Sequence, residues 1–252
     1  MSTPSKPSLP NPVDIIAKLH NINTNHQDAF FNTLSFSLQA CSLLIKSSTN
    51  VNNSTSIGLA NLSQSINSSR FILRFLSGIS SIHVLITNQG IIKQFFSAIK
   101  KKYLAGKTSS SSTDPNEPAD QPIDFIPFLR LVQASLTLLF NVTEIPAYIS
   151  TVAPTLSAHY DGGFFGRLSC VFWLLNTLVE ILVLTILRFS KKELTSTQYQ
   201  TSLIPLICDC FLSANWTMEP KHSFLSEAGL TTLGSISSWV NFLLIWKGLK
   251  NE

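Results

Sequence analysis

The chain has 252 residues, 44% of them hydrophobic and only 13% charged, with a mean hydropathy of +0.24. A soluble domain carries about 25% charged residues, so this composition points toward lipid. The 18 basic and 14 acidic residues leave a formal charge of +4, and the longest basic run is Lys100, Lys101, Lys102, which excludes a nucleic-acid groove.

The first ten residues are rich in proline and lack an apolar core, so no signal peptide is expected. Residues 28–46 then carry a helical period. Asp28, Asn32, Ser35, Gln39, Ser42 and Lys46 form a polar stripe, with Phe30, Phe31, Leu34, Leu38, Cys41, Leu44 and Ile45 opposite. A polar run over 47–56 interrupts the pattern, and 56–87 repeats it. There Asn67, Arg70, Arg74, Ser77 and Ser81 are polar, against an apolar stripe of Ile72, Phe75, Ile79, Ile82 and Ile86. Ile72 lies two residues, roughly 200°, from both arginines. A third stretch, 91–104, ends in the lysine run. Periodicity alone leaves two fates for these apolar stripes. They can pack against one another as a soluble bundle, the commoner outcome, or lie in a membrane interface with the arginines toward phosphates.

Residues 106–122 hold four consecutive serines and the prolines Pro115, Pro118 and Pro122, the composition of a flexible linker. It divides an amphipathic helical region, 1–105, from a more uniformly apolar and membrane-embedded one, 123–252. The fold class expected is all-α, with amphipathic amino-terminal helices followed by apolar membrane-embedded helices. Residues 125–142 are interrupted by Pro127, Arg130 and Gln133 and followed by Glu144, which makes them a poor span. Residues 168–187 are the best one. Their Leu, Ile, Val and Phe side chains give about −6 kcal/mol on an insertion scale, but Glu180 takes back roughly 2.5 to 3.5 and Asn176 more, so insertion is marginal unless those two side chains find partners. Residues 229–246 are long enough to span, and Gly234 and Ser238 stand four apart, a spacing that lets helices approach closely.

Catalytic constellations are absent from the sequence. Ala105-Gly106-Lys107-Thr108 resembles the end of a phosphate loop, but Lys101 occupies the position of the glycine needed five residues earlier. The histidines His20, His26, His83, His159 and His222 share no metal-ligand spacing. Cys41, Cys170, Cys208 and Cys210 form neither a disulfide framework nor a zinc pattern. Glu144, Asp161 and Glu180 are acids near apolar runs without a recognisable base, and Asp161-Gly162-Gly163 reads as a turn. The chain is therefore expected not to be an enzyme, and to need no cofactor or metal.

Several elements, in order, resemble the peroxin 11 family of peroxisomal membrane elongation factors. Asp14, Lys18 and Leu19 correspond to the family's opening helix, and Asp28 to an acid in its next helix, whereas Ala29, Asn32, Ser35 and Phe36 replace its usual Lys, Arg, Gln and Tyr. Leu62-Ser63 through Ser69-Arg70-Phe71-Ile72-Leu73-Arg74 is similar to the family's Ser-Arg and second Arg on an amphipathic helix. Arg167, Ser169, Phe172 and Trp173 resemble the opening of its later apolar segment; Cys208-Asp209 and Gly229, Gly234, Ser237, Ser238 and Trp246 resemble its closing parts.

The resemblance implies a peroxisomal membrane protein that promotes curvature, elongation and division by inserting an amphipathic helix into one leaflet. Arg70 and Arg74 would then sit at headgroups, with Ile72, Phe75, Ile79 and Ile82 in the acyl boundary. It also implies a phospholipid membrane, a second copy of the chain, the peroxisomal division machinery and a membrane-protein import receptor as partners. The alternative function is a metabolite pore, for which Arg130, Asn176 and Glu180 are the candidate lining residues.

Overall fold

A computed structural model describes residues 12–49, 54–88, 125–153, 155 and 160–249, with parts of 90–100. The linker over 106–122 lies outside the described residues. The chain is all-α, with no strand among the described residues. Its long helices are α1 (Pro12–Thr49), α2 (Ser54–Thr87), α3 (Ile126–Val152), α4 (Gly162–Thr185), α5 (Ser196–Thr217) and α6 (Glu227–Leu249). A π-helical turn, Ile186–Ser190, extends α4, and a 3-10 turn, Pro220–His222, precedes α6.

Local chemistry sets the ends of these helices. Pro127 occupies the first turn of α3, where its missing N–H is harmless. The Asp161 side chain accepts from Phe164 N at 3.0 Å and caps α4, so the turn read from Asp161-Gly162-Gly163 is a helix start. Thr195 and Gln198 make a reciprocal capping box at α5. Lys192, at φ 56°, ends the π turn in the left-handed region, and Glu193 N then donates back to Leu187 O. Asn215 Oδ1 accepts from Ser223 Oγ, Phe224 N and Leu225 N, which ties down the α5–α6 connection.

Each helix packs against its neighbours in sequence, and α6 returns to α1, so the six form a closed antiparallel ring. The two halves divided by the linker thus share one body, joined at α2–α3 and at α6–α1.

The α1–α2 pairing has a seven-residue register on both helices. Asp28 meets Arg70, Ser35 meets Ser63, and Ser42 meets Ser56. At the two serine rungs each hydroxyl donates to the backbone carbonyl opposite, at 2.8 to 3.1 Å. On the other flank of α1, Thr33 Oγ1 donates to Ser238 O at 3.1 Å, and the Phe36 ring lies over Gly234 where any side chain would collide with it. The close approach expected from Gly234 and Ser238 is therefore made, and its partner is α1.

The distribution of polarity is inverted. Among the described residues six apolar side chains are buried, Pro205 included, against sixteen polar or charged ones, mostly Ser, Thr and Asn. Large apolar side chains instead cover the outside of every helix, among them Phe30, Ile72, Leu139, Leu178, Phe211 and Trp239. A water-soluble bundle buries its apolar stripe; here the apolar stripes of α1 and α2 face outward, and the soluble-bundle expectation is corrected.

Three helices, Ile126–Val152, Gly162–Ser190 and Glu227–Lys247, are long and apolar enough to cross a membrane. The first corrects the expectation of a poor span. The helix runs on to Val152 rather than stopping near Glu144, and its charged side chains are paired, Arg130 with Glu180 and Glu144 with Arg74. Helix α5 was not apparent as an apolar run, because Ser, Thr, Gln and Asp interrupt it.

Candidate functional site: a polar chamber within the helical ring

Midway along the helices the ring forms a partly open cavity of about 750 Å³, to which all six helices contribute. Its charged residues are Asp28, Arg70, Arg74, Glu144 and Asp209. Helix periodicity puts Arg70 and Arg74, four apart on α2, on one face, and the α1–α2 register brings Asp28 beneath them.

The Asp28 carboxylate accepts from Arg70 Nε at 2.8 Å and from Arg70 Nη2 at 3.1 Å, a two-pronged pair that leaves Arg70 only 4% exposed. Arg70 Nη1 donates to Asn67 Oδ1 at 2.8 Å. Arg74 reaches the other way, donating from Nη1 to Glu144 Oε1 of α3 at 2.7 Å, with its guanidinium 5.8 Å from the Phe140 ring centroid. Arg74 Nε also lies 3.9 Å from Asp28 Oδ1, so α1, α2 and α3 share one chain of charge. Across the chamber, Ser237 Oγ of α6 donates to Asp209 Oδ1 of α5 at 2.6 Å.

Burial and charge act against each other here. Burial pushes the Asp28 carboxyl up, but Arg74 and Arg70 outweigh it and hold the group below its ordinary value. Burial also lowers Arg70, helped by the neighbouring Arg74 and resisted by Asp28. For Asp209, burial prevails over the Ser237 hydrogen bond and the two arginines, and the carboxyl is pushed up to about 6.

Three buried polar atoms on residues that line the cavity have no hydrogen-bond partner among the described residues: Asn141 Nδ2, Glu144 Oε2 and Asn176 Oδ1. Asn141 is 5% exposed, and α2 approaches it at Gly78, where a Cβ would stand 3.3 Å from Asn141 Nδ2. Aromatic rings complete the wall. Phe71 stacks on Tyr148 with centroids 4.1 Å apart, and Trp173 on Trp216 at 5.6 Å.

The residues singled out on α2 divide between the two faces of that helix. Arg70 and Arg74 point into the ring and are engaged by carboxylates rather than directed at headgroups, because Asp28 and Glu144 stand in register with them. Ile72, Ile79 and Ile82 face outward, Ile79 with 55% of its surface free. The side chain of Phe75 lies outside the described residues. Of the pore candidates, Asn176 lines the chamber, whereas Arg130 and Glu180 pair with each other and with Gln133, apart from it.

Asp28, Asn141, Glu144 and Asp209 were not marked as one site by the sequence. The available signal was the seven-residue spacing of Asp28, Ser35 and Ser42, repeated in reverse by Arg70, Ser63 and Ser56. No group of three or more metal-ligating side chains forms among the described residues. Comparison of the chain with protein-family models, with curated proteins and with solved structures returned no match.

Proposed function

We propose that this chain is a peroxisomal membrane protein that elongates its membrane before division, with α2 as the wedge. The observation that carries the reading is the split outer face of α2. Over 61–69 that face exposes Asn61, Ser65 and Ser69, with Leu62 exposed beside them; beyond it, Ile72, Ile79, Ile82 and Ile86 are exposed. Helix α4 carries exposed apolar side chains at Phe164, Val171, Leu175, Leu178 and Leu182, and α3 at Leu139, Val142 and Val152. A body whose apolar belt is continuous at α4 and broken by polar residues at α2 expands the leaflets unequally. Unequal expansion favours bent membrane. The residue resemblance to peroxin 11 supplies the organelle, and with it the expected partners: a second copy, the division machinery and the membrane-protein import receptor.

A charge in the acyl region is costly, so the wedge is tested by placing one there. Full-length protein reconstituted into vesicles of phosphatidylcholine, phosphatidylethanolamine and phosphatidylinositol should draw them into tubules visible by electron microscopy. Ile79→Glu with Ile82→Glu should reduce tubule length severalfold, while helix content and thermal melting stay as in the wild type. Equal tubulation by the variant overturns the wedge.

A second reading, a metabolite pore, is favoured by the chamber, since a polar interior inside an apolar exterior is the arrangement a solute pathway requires. Conductance across planar bilayers containing the protein separates it from the first.

A further inference from the structure

The two ends of the ring differ in charge, and antiparallel packing decides which termini meet at each. Helices α2 and α6 both run antiparallel to α1, through Asp28–Arg70 and Ser42–Ser56 on one flank and Thr33–Ser238 and Phe30–Phe242 on the other. Their carboxy-terminal ends therefore share one end of the ring. The helical residues described within 90–100 follow α2 and return onto the start of α3. There the Phe95 ring stacks on Phe128, centroids 3.9 Å apart, and meets Phe125 edge-on at 5.5 Å. Arg130 of α3 pairs with Glu180 of α4, so the π turn that closes α4 lies at this end too, where Phe189 meets Tyr199 of α5.

Among the residues whose side chains are described, five exposed lysines gather here, Lys93, Lys100, Lys191, Lys192 and Lys247, against one acid, Glu193. The opposite end is balanced. Lys46, Arg167 and Lys221 stand there with Asp161, Glu219 and Glu227, Lys221 pairing with Glu219 at 2.7 Å and Arg167 lying 3.9 Å from Asp161. The lysines also sit at the limits of the three membrane-crossing helices: Lys191 and Lys192 follow Ser190, Lys247 ends the last, and the Lys93–Lys100 segment packs on the start of α3. Each group adjoins a large exposed ring. Phe96, 60% exposed, is one helical turn from Lys93 and from Lys100; Phe189 precedes Lys191, and Trp246 precedes Lys247. Aromatic rings at headgroup level, with lysine stems running past them toward the surface, are the arrangement of a membrane boundary.

We propose that this end of the ring is a docking surface for anionic phospholipid headgroups, so that acidic lipid gathers around the protein in one leaflet and not in the other. The ammonium groups meet phosphate oxygens just beyond the apolar belt, while the rings beside them hold the acyl boundary. A basic residue near an anionic surface contributes about fivefold in affinity, and several acting together give a preference that a balanced end does not. This surface goes beyond the elongation reading and stands whether or not the protein tubulates vesicles.

The test uses full-length protein in mild detergent with equal amounts of phosphatidylinositol and phosphatidylcholine of matched acyl chains, the retained lipids being counted by native mass spectrometry. Wild-type protein should retain phosphatidylinositol at least tenfold over phosphatidylcholine, and high salt should abolish the preference, since exposed charges are screened. Lys93→Gln, Lys100→Gln, Lys191→Gln and Lys192→Asn together should lower it at least fivefold; asparagine is chosen at 192 because that residue has φ 56°. Lys93→Gln with Lys100→Gln should give a smaller fall, and this pair reports on the surface even if the four-site variant fails to fold. Lys46→Gln with Lys221→Gln, at the opposite end, should leave the preference unchanged. Equal retention of the two lipids by the wild type would leave the lysines to an acidic partner in water and overturn the proposal. So would an unchanged preference in the Lys93, Lys100 pair, or an equal fall in the opposite-end variant.

Discussion

The α1–α2 and α3–α4 hairpins are both antiparallel helix pairs with apolar exteriors, yet they are held together by different means. In α1–α2 the seam is polar at every rung of its seven-residue register, from the buried Asp28–Arg70 pair to the serine hydroxyls bonded across the seam. In α3–α4 the upper part of the seam is made by small residues, Gly162 against Ser150 and Gly166 against Ala147. Its ion pair, Arg130–Glu180, lies at the opposite end with Arg130 half exposed. The difference teaches where each pair can exist. A close seam of small side chains relies on contact area and serves a helix pair surrounded by lipid. A seam of paired hydroxyls and ions instead needs both partners present, since either one alone leaves a buried polar group unmatched.

The largest expected effect follows from that asymmetry. Arg70→Met leaves Asp28 without its two-pronged partner and should cost about 3–5 kcal/mol, seen as a lowered midpoint in denaturant titrations of the detergent-solubilised protein followed by circular dichroism. Arg70→Met combined with Asp28→Leu should recover much of that loss. If the double variant is as unstable as the single one, the pair is not the unit that closes α1 on α2.

A smaller effect is expected at the serine rungs. Ser35→Ala with Ser63→Ala removes two hydroxyls whose hydrogen bonds are worth about 1 kcal/mol apiece, so the two together should cost about 1–2 kcal/mol by the same measurement. An unchanged midpoint would show that helix packing, not the hydroxyls, sets the register. The smallest effect belongs to α3–α4. Arg130 is 47% exposed, and Glu180 keeps Gln133 as a donor after Arg130→Gln. Solvent-accessible pairs contribute about 0–1 kcal/mol, and the variant should shift the midpoint by less than the serine pair does. A loss as large as that of Arg70→Met would remove the distinction between the two hairpins.

Read by itself, the amino-acid sequence determined the helices and their apolar stripes. Periodicity is local, and the stripes of 28–46 and 56–87 are written in residue spacing alone. It also determined that the carboxy-terminal half contains segments apolar enough to enter a membrane, because hydropathy is a sum over consecutive residues. Helix α5 escaped, since exposed Ser196, Thr197, Gln198 and Gln200 fill its first turns while Asp209, Ser213 and Asn215 face inward, and a linear sum does not separate one face from another. Only the tertiary structure decided which stripe faces inward. Periodicity separates two faces of a helix without saying which is the interior, and that choice depends on partners distant in sequence: Ser63 for Ser35, Ser238 for Thr33, Glu144 for Arg74. The chamber is likewise a property of ring closure. Asp28, Glu144 and Asp209 lie far apart along the chain, and they share one cavity because α6 returns to α1.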